Sequence, residues 1–136
     1  MEVTPANVRD DDDEIERGIN AFARGSNDGL IVTTGTLAQI HRDRIIALAA
    51  RHRLPAVYPY RNFVTRGGLI SYGPNQTDQY RQAAGYADRI LKGEKAGNLP
   101  VQAPVRYETV LNMKTAKALG LDVAPMVFAR ADEVIE

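Results

Sequence analysis

The chain has 136 residues, 44% hydrophobic and 25% charged, a composition that suits one globular domain with one core. Its 17 Lys and Arg balance 17 Asp and Glu, which argues against nucleic acid as the main partner, because phosphate binding needs a basic excess or stripe. With no cysteine, disulfides, thiol catalysis and cysteine-bound metal clusters are excluded.

No apolar run approaches the roughly 20 residues of a membrane span. The start of the chain, from Met1 to Pro5, has neither the basic nor the apolar region of a signal peptide.

Residues 3–9 read as a first strand, with Pro5 at its start or edge. Asp10, Asp11, Asp12 and Asp13 follow as an acidic cluster. Ile15, Ile19 and Phe22 fall at helical spacing, so a helix is expected over 12–24, with Asp11 and Glu14 placed to cap it. Residues 25–29 read as a turn. The run 30–33 is continuous and β-branched, the mark of a strand covered on both faces. Thr36 and Gln39 have the spacing of a capping box, opening a helix that runs to about Arg53 with Leu37, Ile40, Ile45, Leu48 and Ala49 along its apolar stripe.

A short strand is expected over 55–58, a loop or short helix over 59–66, and another strand over 69–72 after the Gly67, Gly68 break. Asn75 is placed to cap a long helix over 76–92, with Tyr80, Ala83, Ala84, Ala87 and Ile90 on its buried side and Gly93 as its stop. Residues 94–104 read as a linker-like connection punctuated by Pro100 and Pro104. A strand over 105–111 and a helix capped by Asn112 follow, and 128–136 reads as one more short helix. Alternating strands and helices imply a doubly wound α/β lobe, a mainly parallel sheet of about five strands with helices on both faces, spanning residues 1–136 as a single unit.

In such a sheet, ligands bind beyond the carboxyl ends of the strands. The residues there are polar and aromatic, with no base beside a nucleophile, so binding is expected rather than catalysis. Thr33 and Thr34 offer hydroxyls where a helix begins, and Tyr58, Tyr60 and Tyr72 stand at neighbouring strand ends, able to cover an apolar solute and still hydrogen-bond. Thr33, Thr34, Tyr58 and Tyr72 are therefore the candidate ligand-binding residues. No metal or cofactor is expected. His41 and His52 lie on one expected helix about 16 Å apart by its rise per residue, too far to share an ion, and no glycine-rich phosphate loop has the needed spacing. The alternative is a small α/β enzyme or Mg-dependent phospho-transfer domain using Asp10 to Asp13.

The segments 14–17, 29–33, 41–58, 67–74, 80–84, 89–93, 99–102 and 112–121, in this order and spacing, resemble the substrate-binding proteins of ABC transporters. The likeness is to the periplasmic-binding type related to tryptophan and tyrosine binders, and it covers nearly the whole chain. Such proteins have two lobes joined by a hinge, and this chain is similar to the second lobe with its C-terminal return. The resemblance implies a small organic solute such as an amino acid or carboxylate, and docking on an ABC permease through a full-length parent. It also implies a periplasmic location, against which the absent signal peptide sets a cytoplasmic one for a naturally short form. A lone lobe is further expected to form a homodimer, with 100–112 as the route of exchange.

Overall fold

The computed structural model describes residues 3, 5, 12–23 and 28–136. The strand expected over 3–9 falls largely outside them, as do Asp10, Asp11 and most of the turn at 25–29. The elements in chain order are α1 (Asp12–Phe22), β1 (Leu30–Ile31), α2 (Thr36–Ile40), α3 (Arg42–Arg51), β2 (Ala56–Tyr58) and α4 (Arg61–Val64). They continue with β3 (Ile70–Pro74), α5 (Gln76–Leu91), a 3₁₀ turn (Ala96–Asn98), β4 (Tyr107–Asn112), α6 (Met113–Ala118), α7 (Pro125–Ala129) and β5 (Glu133–Ile135).

The five strands form one sheet in the order β1-β2-β3-β4-β5. β1, β2 and β3 are mutually parallel, β4 runs antiparallel to β3, and β5 is parallel to β4. This is the mainly parallel five-stranded α/β sheet that the alternation of elements implied. The tail departs from expectation: residues 133–135 add a strand to the free edge of β4 where a helix was expected. Val134 and Ile135 are β-branched and favour that pairing.

Strand order decides where the core lies. β1, β2 and β3 advance across the sheet in one direction, and right-handed crossovers then put the intervening helices on the same face. The register agrees. Leu30 pairs with Ala56, and Tyr58 with Ser71, on the covered face. That face buries Ile15 and Ile19 of α1, Ile45, Leu48 and Ala49 of α3, and Phe63 of α4 in one cluster with Ala56 and Tyr58. The alternate residues face the other way. Ile31 is 69% exposed and Tyr72 61%, with Val57 and Tyr107 also open. The expectation that 30–33 is covered on both faces is therefore corrected: β1 lies at the sheet edge among the described strands, with its helices on one side.

α5 departs further. Tyr80, Ala83, Ala84, Ala87 and Ile90, expected on its buried side, are all exposed, and Leu91 is 88% exposed. The helix stands off the sheet, held by its ends. Asn75 caps it by accepting from the Asp78 N–H at 2.9 Å, and the Tyr86 hydroxyl donates to the Pro100 carbonyl at 2.5 Å. Arg89 donates twice to Glu94, at 2.7 and 2.6 Å, which holds the Glu94 carboxyl below its ordinary range. The helical periodicity predicts a buried side, and no residue of α5 is buried among the described residues.

Helix ends follow their sequence signals closely. Asn112 caps α6 by accepting from the Thr115 N–H at 3.1 Å, as Asn75 does for α5. α5 closes with Gly93 at φ 100, where the Gly93 N–H meets the Ile90 carbonyl and the Glu94 N–H meets that of Arg89. α3 closes with the same pair of bonds, Arg53 to Ala50 and Leu54 to Ala49. Here the left-handed position is held by Arg53 at φ 53, which carries a Cβ. That conformation costs an L-residue on the order of 1–2 kcal/mol, partly offset by the greater freedom that glycine has in the unfolded chain. Arg53→Gly is predicted to raise stability by about 0.5–1 kcal/mol in urea denaturation, and a loss of stability would contradict this reading of the turn.

Candidate functional site

The parallel strands β1, β2 and β3 end at the same edge of the sheet, and their connections lead into α2, α4 and α5. A groove of about 470 Å³ opens there, lined by Thr34, Gly35, Thr36, Gln39, Tyr60 and Gln76. The volume falls in the roughly 300–1,000 Å³ range of small-molecule sites. Each of the three connections contributes. Thr34 to Gln39 come from the turn into α2 and its first turns, Tyr60 from the residue that precedes α4, and Gln76 from the first residue of α5.

Close packing beneath the groove sets its shape. A Cβ on Gly73 would fall onto the carbonyl oxygen of Pro59, so only glycine lets β3 run so near the turn after β2. That approach brings the start of α5 to the groove. Tyr58 stacks on Phe63 with ring centroids 5.1 Å apart, and both are buried. Arg61, next to Tyr60, donates two hydrogen bonds of 2.7 Å to Glu133, which fastens α4 to β5 and raises the Arg61 pKa.

The groove holds no charged side chain among its lining residues. It offers two threonine hydroxyls, a phenol and two amides. These can receive and donate hydrogen bonds but form no pairing of a nucleophile with a base.

Of the four residues singled out in the sequence, Thr34 lines the groove. Thr33 is exposed beside it without forming its wall. Tyr58 points into the core at 2% exposure, so it supports the groove from beneath. Tyr72 lies on the uncovered face of the sheet, stacked on Tyr107 at 5.6 Å. The period-2 alternation of strands explains the split: Tyr58 pairs with Ser71, which puts Tyr72 on the opposite face. Tyr60, two residues beyond Tyr58 and past the strand end, is the tyrosine that reaches the groove.

Gln39 and Gln76 were legible only as helix residues. The capping box does not form: Gly35 precedes α2, Thr36 is already helical, and no side chain caps the helix. Gln39 is thereby left to face the groove. The Asp10 to Asp13 cluster brings no described acidic group here; of the four, only the side chain of Asp13 is described, and it is exposed.

A family model described as ABC transporter substrate binding protein matches residues 1–135. The chain belongs to that family.

Three solved structures share the fold of this family member. A conserved domain protein from Vibrio cholerae superposes with a TM-score of 0.79 at 24% identity, over 90% of this chain and 41% of that one. The ABC domain in complex with L-Trp from Streptococcus pneumoniae gives 0.81 at 22% identity, over 91% and 42%. CD0873, a substrate binding protein with adhesive properties from Clostridium difficile in its ligand-free, open structure, gives 0.63 at 22% identity, over 92% and 41%. The chain thus spans about two-fifths of the length of these structures. No curated protein matches it in sequence.

Burial of Tyr58 raises its pKa from 10.0 to about 12. The neutral phenol is the form the fold favours, so this contribution to stability is complete below pH 10 and is lost as pH rises through about 12. In an alkaline titration followed by tyrosinate absorbance, one of the six tyrosines should ionise late, and Tyr58→Phe should remove that late step. Uniform titration of all tyrosines near pH 10 would contradict the burial of Tyr58.

Proposed function

We propose that this chain is a solute-binding lobe of an ABC transporter substrate-binding protein, and that its groove receives part of a small polar organic solute such as an amino acid. One observation carries the reading. A neutral groove of about 470 Å³, rich in hydrogen-bonding groups, opens at the carboxyl edge of the parallel strands in a chain of this family. The Streptococcus pneumoniae structure of the same fold, in complex with L-Trp, favours an amino acid.

In this reading Thr34 contacts the solute together with Thr36, Gln39, Tyr60 and Gln76, which line the groove with it, while Thr33 stands beside the groove and Tyr58 lies beneath it. Tyr72 sits apart with Tyr107. The role is binding rather than catalysis.

A groove open on one side encloses only part of a solute. In the two-lobe mechanism a second lobe closes over it, and closure is driven by solute contacts made only in the closed state. The exposed apolar side chains of α5 and the following connection, Tyr80, Leu91, Val101 and Val105, support a companion surface that packs there. Docking on an ABC permease and an extracytoplasmic location follow from the family and belong to the same proposal. Among the described residues, no helix is long and apolar enough to cross a membrane.

Titration of the twenty amino acids against thermal unfolding tests the reading, since a ligand of the folded state raises Tm by mass action. L-tryptophan or another amino acid should raise Tm, and Thr34→Val should weaken that ligand about tenfold, the worth of one hydrogen bond to a charged group. No shift with any amino acid would remove the solute class proposed here.

The same exposed surface gives the chain on its own a reason to pair. A homodimer through residues 100–112 is the expected state, burying more than about 1,000 Å², and light scattering across a concentration series measures it. A monomeric mass at high micromolar concentration would show that the surface is tolerated in water.

A further inference from the structure

Behind Gln39 stands a second amide. The Asn62 side-chain N–H donates to the Gln39 Oε1 at 3.1 Å, bridging α4 to α2. The two residues that follow Asn62 in α4, Phe63 and Val64, are both fully buried and anchor this short helix in the core. Its other side-chain atom, Oδ1, is buried with no hydrogen-bond partner among the described residues. An orphaned amide oxygen is costly to bury, and an apolar side chain would avoid the cost. The one side-chain hydrogen bond that Asn62 makes is aimed at a residue of the groove wall.

A glutamine amide can present either end. Unheld, it turns over to offer its carbonyl oxygen or its NH₂, and so accepts donors and acceptors alike. Here the oxygen of Gln39 is occupied by Asn62, and its Nε2 has no partner among the described residues. The NH₂ is the end left for the groove.

We propose that Asn62 is a positioning residue that locks Gln39 as a hydrogen-bond donor, so that the groove selects solutes presenting an acceptor there, a carboxylate or carbonyl oxygen, over solutes presenting only a donor. The inference rests on the groove being the solute site. With no lysine or arginine in the groove wall, a carboxylate would be received by neutral donors, and the fixed orientation of Gln39 is what sets the sign of the choice.

The test compares two probes, L-tryptophan and tryptamine, which keeps the ring and the ammonium group but lacks the carboxylate. The wild-type chain should favour L-tryptophan. Asn62→Ala frees Gln39 to turn its oxygen toward the ammonium, and should narrow the ratio of affinities about tenfold. Asn62→Asp, whose carboxylate accepts from Gln39, should narrow it at least as far. Damage to the fold would weaken both probes together and lower Tm without ligand; an unchanged ratio in both variants, with Tm retained, overturns the inference.

A second measurement needs no ligand. In ¹⁵N-edited NMR of the wild-type chain, the Asn62 NH₂ protons should exchange slowly with water and the Gln39 NH₂ protons quickly. Protected Gln39 protons with exposed Asn62 protons would overturn the inference. Failure of the wild type to bind either probe would count against the solute reading, while the exchange rates would still decide the orientation of Gln39.

Discussion

Three parallel strands that follow one another across a sheet in chain order constrain everything built on them. Each crossover from one strand to the next has the same hand, so each returns on the same face. Here that face gathers α1, α3 and α4 over Ala56 and Tyr58. The same arrangement points all three strands the same way, and their carboxyl ends meet along one edge. The groove exists because the turns into α2, α4 and α5 leave from that shared edge. The uncovered face, with Ile31, Val57, Tyr72 and Tyr107, is the other consequence of the same winding.

Core and groove are joined through the turn after β2. The Tyr58 ring fills the space against Phe63, and a Cβ on Gly68 would strike that ring. Two residues on, Tyr60 enters the groove wall, and Gly73 lets β3 close against Pro59 between them. A close-packed floor of this kind transmits small changes of volume, because protein interiors are as dense as organic crystals. On the proposal that the groove takes a solute, its selectivity depends on residues outside its wall, Tyr58 through packing and Asn62 through a hydrogen bond.

Much of this was legible in the sequence where the signal is local. Asn75 and Asn112 announce helix starts because their side chains satisfy N–H groups a few residues away, and Gly93 announces a stop because its backbone reaches the left-handed region. Such signals need no knowledge of tertiary neighbours. The misses all depend on distant partners. Residues 133–135 become a strand because β4 offers an edge. The apolar positions of α5 read as a buried side, and none of its residues is buried. Tyr58 and Tyr72 look alike as strand-end tyrosines, and only the register between β2 and β3 sends one into the core and the other to the open face. Gln39 has the spacing of a capping residue, and its engagement by Asn62 depends on how α4 packs beside α2.

A crystal structure of the chain grown with L-tryptophan is the most direct measurement of where a solute goes. The amino acid is predicted to lie in the groove at the carboxyl edge, within hydrogen-bond distance of Thr34 or Gln39 and against the ring of Tyr60. Density for it on the Tyr72 and Tyr107 pair instead, with the groove filled only by water, would contradict the assignment of the site.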